Sequence, residues 1–204
     1  LSFNWKEQDP QIKENDGFDI ILGNPPYVCS RNMDDWTKET LYAWSVCSTG
    51  HPDLYIPFFQ IGYELLTHNG ILGYITVNTF IRSLNGRALR NYFADNNIAL
   101  KIIDFEGEQV FKSRVTYTCL TFLTKKSSTN IQYVKSSSKG LNSILSFDTY
   151  SYDALDHFQG WSLKNTIFVQ KCETIGTKFG SLYNTRSGIA TLKNNVYIFT
   201  PTYE

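Results

Sequence analysis

Four short apolar runs constrain this chain more than anything else in it: FDIIL at 18–22, ILGYITV at 71–77, LKIIDF at 100–105 and YTCLTFLT at 117–124. Each is strand-length, rich in β-branched and aromatic residues, and bounded by turn-forming residues, which predicts strands. The first is apolar throughout except for Asp19, the pattern of a strand covered on both faces. Between the runs lie two helical segments. Residues 53–66 (DLYIPFFQIGYELL) place Leu54, Phe58, Ile61 and Leu65 at helical spacing, with Asp53 as N-cap, Pro57 in the first turn and HNG at 68–70 as the stop. Residues 87–95 form the second. Strand, helix, strand, helix, strand is a βαβ rhythm, so the expected architecture is α/β with a mostly parallel sheet. Residues 1–16 are polar and aperiodic and read as a loop or a remnant of a preceding element, and 28–52 as a long irregular connection with one helical turn near 36–42. A connection of that length is unusual without a function of its own.

The bulk numbers set the limits. A chain of 204 residues with 42% hydrophobic and 15% aromatic content has enough apolar surface for a substantial core. Lys plus Arg and Asp plus Glu both total 19, so no net field draws in a polyanion or a membrane surface. Nucleic-acid binding would need a local patch. One basic cluster, Lys112, Arg114, Lys125 and Lys126, could touch phosphates but is better explained as a solvated face, and Arg31, Arg82 and Arg87 follow strand ends and could also reach DNA. Cys29, Cys47, Cys119 and Cys172 form no CxxC pair and no ligand spacing with histidine, so neither a metal site nor a disulfide framework is expected, and the setting is read as reducing and cytoplasmic. No apolar stretch is long enough to span a membrane. Beyond Lys126 the texture changes to SSTN and SSSKG, boundary-like punctuation, followed by a strand (IQYVK), a helix across 164–174 and a last segment ending in VYIF. The chain opens on Leu1 and its one methionine is Met33, so it reads as an excerpt of a longer polypeptide.

The apolar run at 18–22 stops at Gly23 and turns through Asn24, Pro25, Pro26 and Tyr27. A plain turn would use the same residue types. The carboxyl end of a strand in an α/β sheet is, however, where ligands bind. An amino group conjugated to an aromatic ring is a poor nucleophile, because its lone pair is delocalised. The Asn24 side-chain carbonyl and the Pro25 backbone carbonyl could accept its two N–H bonds, favouring a pyramidal nitrogen with its lone pair free. The prolines would hold those oxygens in advance, and Tyr27 would stack on the ring.

GNPPY, with FDIIL before it and DLYIPFFQIGYELLTHNGILGYITVNTF after it, resembles the amino-methyltransferase superfamily, most closely the TaqI-like adenine-specific DNA methyltransferases and type IIG restriction-modification enzymes. The likeness runs from about residue 16 to 126. It implies the second half of a seven-stranded Rossmann-like class I methyltransferase sheet at 1–126, a connecting segment at 127–177, and the start of a specificity domain at 178–204, where RSGIATLKNNVYIF resembles that domain's opening strands. It further implies that Asn24, Pro25, Pro26 and Tyr27 take the flipped adenine of double-stranded DNA, that Phe111 in EQVFKSR faces that base opposite Tyr27, and that Asn24, Pro26 and Phe58 touch S-adenosyl-L-methionine. Phe58 and Phe111 also suit plain core positions. The glycine-rich turn and the acidic strand end that hold most of the cofactor do not occur before Phe18, so this stretch is expected to be inactive alone. With the family's first strand missing, the strand at 18–22 would be an exposed apolar edge prone to self-association. The alternatives are a protein-glutamine or RNA methyltransferase, or a non-catalytic DNA-binding or assembly subunit.

Overall fold

The computed structural model describes residues 5–111, 117–163, 171, 174–177 and 179–184. The chain divides into two compact units, Leu1–Leu163 and Lys164–Glu204. In the second, the described structure includes a short helix at Phe179–Leu182. The specificity-domain opening strands expected at 186–199 lie outside the described residues, as does most of the helix expected at 164–174.

The first unit is built on one six-stranded sheet: β1 (Phe18–Gly23), β2 (Leu66–Val77), β3 (Ile98–Asp104), β4 (Thr118–Ser127), β5 (Asn130–Lys135) and β6 (Asp148–Ser151), in the order β1-β2-β4-β3-β5-β6. The four strands expected from the apolar runs and the IQYVK strand are present, but the mostly parallel sheet is corrected to a mixed one. β4 inserts between β2 and β3 and runs antiparallel to both, whereas β1 with β2 and β3 with β5 are parallel. β5 and the antiparallel β6 extend the same sheet past residue 126.

Five helices of this unit are labelled α1 (Trp5–Gln8), α2 (Pro10–Glu14), α3 (Asp35–Tyr42), α4 (Ile56–Leu65) and α5 (Arg87–Asp95). The stretch at 1–16, read as a loop or a remnant of a preceding element, carries two short helices in its described part. Asp9 caps the second, accepting the Gln11 N–H at 2.9 Å, with Pro10 preset in its first turn. Within 28–52, α3 is flanked by single 3-10 turns at Ser30–Asn32 and Ser45–Cys47.

α4 departs from expectation at both ends and in its face. Tyr55 precedes it without a side-chain cap bond, and β2 begins directly at Leu66. The HNG turn lies inside the irregular register between the Phe18–Leu66 and Ile20–Ile71 pairs. The buried residues are Tyr55, Ile56, Pro57, Phe59, Gly62 and Leu66, whereas Leu54, Phe58, Ile61 and Leu65 are only half-buried. Almost every residue of the segment is apolar, so two stripes share helical spacing. Gly62 decides between them, because a Cβ there would come within 2.3 Å of Leu72 Cδ1 and 2.6 Å of Tyr74 Oη. Without that side chain, α4 lies close against β2. Phe59 is then the hub of the core, its ring centroid 5.6 Å from those of Tyr74, Phe80 and Phe93.

α5 carries a charge into that core. Arg90 is fully buried and donates to the carbonyls of Phe80 (2.6 Å), Ser83 (2.8 Å) and His157 (3.0 Å). Burial, followed by repulsion from Arg87, lowers its pKa to about 10, so it remains charged at neutral pH. Backbone dipoles take the place of a carboxylate. The same segment is stitched a second time, by the Trp161 N–H donating to Ile81 O at 2.8 Å. Gly160, at φ +127°, passes so close to the Arg82 carbonyl that a Cβ would meet its oxygen at 2.7 Å.

Candidate active site

The corner follows at once from the end of β1. Gly23 pairs with Tyr74, whose ring would stand 2.9 Å from a Cβ at position 23, so glycine lets the chain leave the sheet edge tight against β2. Asn24 and Pro26 are exposed, Pro25 is buried and Tyr27 is half-buried. One proline anchors the turn and the other faces outward beside the amide. The chain leaving the corner is held by the Leu54 N–H, which donates to Val28 O at 2.9 Å. Asp53, expected to cap α4, makes no cap bond to it, and burial, against a smaller lowering effect of the Cys29 thiol, raises its pKa.

Tyr27 is fixed from the sheet. Its hydroxyl donates to the Ile75 carbonyl at 2.9 Å, and burial, with a smaller contribution from Cys119, pushes its pKa up to about 12, so it stays a neutral donor at ordinary pH. Its ring centroid lies 6.5 Å from that of Phe111, at 58°. The two aromatics named from sequence are thus brought together across a tilted gap, at the upper end of the range for ring pairs. Phe58 stands apart as the outward neighbour of the core hub; its carbonyl accepts the Tyr74 hydroxyl at 3.4 Å and its ring is half-buried.

At the ends of β2 and β3 is a cleft of about 550 Å³ lined by Asn78, Thr79, Arg82, Asp104, Glu106 and Tyr117 among others. Asp104, the last residue of β3, is buried and accepts three bonds: from Asn78 Nδ2 (2.8 Å), the Glu106 N–H (2.9 Å) and Tyr133 Oη (2.8 Å). Of these, Asn78 and Asp104 were not singled out from the sequence. A usable signal was present: Asn78 and Asp104, like Asn24, are polar residues where an apolar strand ends.

The basic residues fare differently. Arg82 is exposed on the cleft and Arg31 is exposed near the corner. Arg87 stacks 3.4 Å over Phe158 and donates to its carbonyl, and Lys125 donates to Leu66 O and Glu64 O. Lys112 and Arg114 lie outside the described residues.

The sequence profile of a family described as Eco57I restriction-modification methylase matches residues 1–111. The type II restriction enzyme and methyltransferase RM.Eco57I of Escherichia coli is 33% identical over 195 residues, covering 89% of this chain and 19% of that protein. The type II methyltransferase M.BstVI of Geobacillus stearothermophilus is 31% identical over 112 residues, 55% of this chain and 19% of that protein. The chain therefore spans about one fifth of the length of these relatives. Among solved structures, the DrdV–DNA complex matches with a TM-score of 0.57 at 16% identity, covering 78% of this chain and 19% of that one. The type IIL restriction-modification enzyme MmeI in complex with DNA gives 0.54 at 14%, covering 79% and 22%. At these identities the likeness speaks for the fold. No described helix is long and apolar enough to cross a membrane.

Proposed function

Because the chain belongs to the Eco57I restriction-modification methylase family, we propose that it forms the base-accepting side of a DNA methyltransferase site that modifies N6 of an adenine swung out of double-stranded DNA. The observation that carries this reading is Tyr27, pinned through its hydroxyl to β2 with its ring facing Phe111, one residue past the Pro-Pro mount of the exposed Asn24. A flipped base enters between the two rings, and stacking of about 1–3 kcal/mol per base offsets much of the cost of unstacking it from the duplex. The Asn24 carboxamide oxygen and the Pro25 carbonyl accept the two N6–H bonds, concentrating the nitrogen lone pair toward the methyl donor. After transfer the nitrogen sheds one proton to water and returns to its conjugated, uncharged form.

S-adenosyl-L-methionine, when bound, would supply the methyl group, its carbon–sulfur bond breaking as the carbon–nitrogen bond forms and the thioether S-adenosyl-L-homocysteine leaving. Asn24, Pro26 and Phe58 suit contact with it, since all three keep accessible surface and Phe59 has taken the core position beside Phe58. Most of its pocket would come from the remainder of a longer enzyme, of which residues 1–126 are the catalytic half and 178–204 the start of the DNA-reading part. The exposed Arg82 is placed to meet a DNA phosphate, making binding salt-dependent.

The test is methyl incorporation into unmethylated phage DNA by the enzyme containing this chain, with the product nucleoside identified by mass spectrometry. N6-methyladenine is expected. Asn24→Ala should lower the single-turnover rate by about 10²–10³-fold with the fold intact, while Tyr27→Ala should chiefly weaken base capture. Methyl transfer to RNA or to a protein glutamine instead, or none in the wild type, would overturn the reading.

A further inference from the structure

We propose that Asp104 is the positioning residue that sets Phe111 opposite Tyr27, an inference that rests on the reading of those two rings as the plates of the base pocket. Phe111 lies in the 105–117 connection between β3 and β4, where Glu106 pairs with Lys135 and Glu108 accepts from Ser138, contacts that tie this stretch to β5 and the turn after it rather than to the corner contributed by β1. The neck of the connection supplies the tie to that corner. Asp104 Oδ1 accepts from Asn78 Nδ2 and from the Glu106 N–H, and its Oδ2 accepts from the Tyr133 hydroxyl. Asn78, just past the end of β2, thereby meets β3 and β5 on one buried carboxylate. The two ends of the connection close on each other through the Phe105 N–H to Thr118 O (3.1 Å), and its far end reaches β2 through the Asn78 N–H to Tyr117 O (3.0 Å).

β2 is the shared ruler. Ile75 holds Tyr27 by its carbonyl, and Asn78, three residues on, holds both ends of the segment that carries Phe111. Glu106 takes a positive φ of 50°, a conformation uncommon for a side chain of its kind, and the bond from its N–H to Asp104 holds it there. Loss of the carboxylate charge weakens three bonds at once, because hydrogen bonds to a charged acceptor are about twice as strong as neutral ones. The sheet keeps its ladders, and the Phe111 segment loses its register.

The test uses Asp104→Asn, with Tyr133→Phe as the milder variant in case the first perturbs folding. Two readouts are taken: the nuclear Overhauser effect between the Tyr27 and Phe111 rings in this chain, and methyl incorporation by the enzyme containing it. Asp104→Asn is expected to abolish the ring-to-ring signal while the sheet amides keep their shifts, and to lower methylation about tenfold, as small misplacements at a reacting centre do. In the Phe111→Ala background the same substitution should cost less than about twofold, since coupled residues are not additive. Tyr133→Phe should fall between wild type and Asp104→Asn in both readouts. An unchanged ring-to-ring signal, or equal losses with and without Phe111, overturns the proposal. A wild type that transfers no methyl group overturns the functional reading instead, while the ring signal still decides the role of Asp104.

Discussion

The two faces of the sheet are built from the same strands and could hardly be treated more differently. On one, Leu72 and Tyr74 of β2, Leu123 of β4, Leu100 and Ile102 of β3 and Ile131 of β5 lie within a core shared with Phe59 of α4 and Leu89 and Phe93 of α5. That face also buries Thr76, Cys119 and Thr121, which satisfy one another at 3.6–3.8 Å. On the other, the residues one step out of phase include Ile20 and Leu22 of β1 and Ile71 of β2, exposed to 67%, 75% and 47%. Further along it Lys101 lies over the Phe147 ring, and a shallow cavity of about 650 Å³ opens beside Phe122. Local sequence does not separate the faces, since isoleucine and leucine appear on both. The difference lies in what packs against them, and Gly62 shows how a single missing side chain decides where a helix can dock.

The contrast can be broken hardest at Phe59. Phe59→Ala should lower the unfolding free energy of the first unit by about 3–5 kcal/mol, read by denaturant titration, because it empties the centre of an aromatic cluster. A loss below 1 kcal/mol would mean that this face is no better packed than the other. A smaller effect is expected at Tyr74, whose pKa burial raises to about 12 against about 10 when unfolded. The neutral phenol is favoured in the fold, so its stabilising contribution is complete below pH 10 and lost as pH rises toward 12. Tyr74→Phe should cost about 0.5–1 kcal/mol at pH 7 and flatten the stability decline between pH 10 and 12. Smallest of all, Ile20→Thr with Leu22→Thr should leave stability within about 0.5 kcal/mol, as exposed substitutions usually do. If β1 is the adhesive edge that its exposure suggests, the same pair should reduce self-association in light scattering.

Most of the elements were legible, and the failures have physical reasons. α5 begins and ends at the expected residues because Ala88, Leu89 and Phe93 form one apolar stripe on an otherwise polar segment. α4 offered two stripes, and only the close approach of β2 at Gly62 chooses between them. Strand direction was illegible for a different reason: Thr118–Ser127 has the same alternation whether it runs with or against its neighbours, and its insertion between β2 and β3 is a long-range fact. The two N-terminal helices are shorter than any periodicity can register, although Asp9-Pro10 marked the start of the second. In the site, Asn24 and Tyr27 were visible because the Pro-Pro turn isolates them, and Phe111 came from resemblance alone. Asp104 and Tyr133 stayed hidden because their meaning lies in one another.

The stitching of Arg90, Gly160 and Trp161 bears on how such a polypeptide can be recombined. A junction placed after residue 126, where serine-rich composition invites one, would remove β5, β6 and the carbonyl of His157, leaving a buried guanidinium short of an acceptor. A junction after Leu163 keeps every one of those partners. Exchange of foreign segments onto this scaffold should therefore succeed at the later boundary and fail at the earlier one.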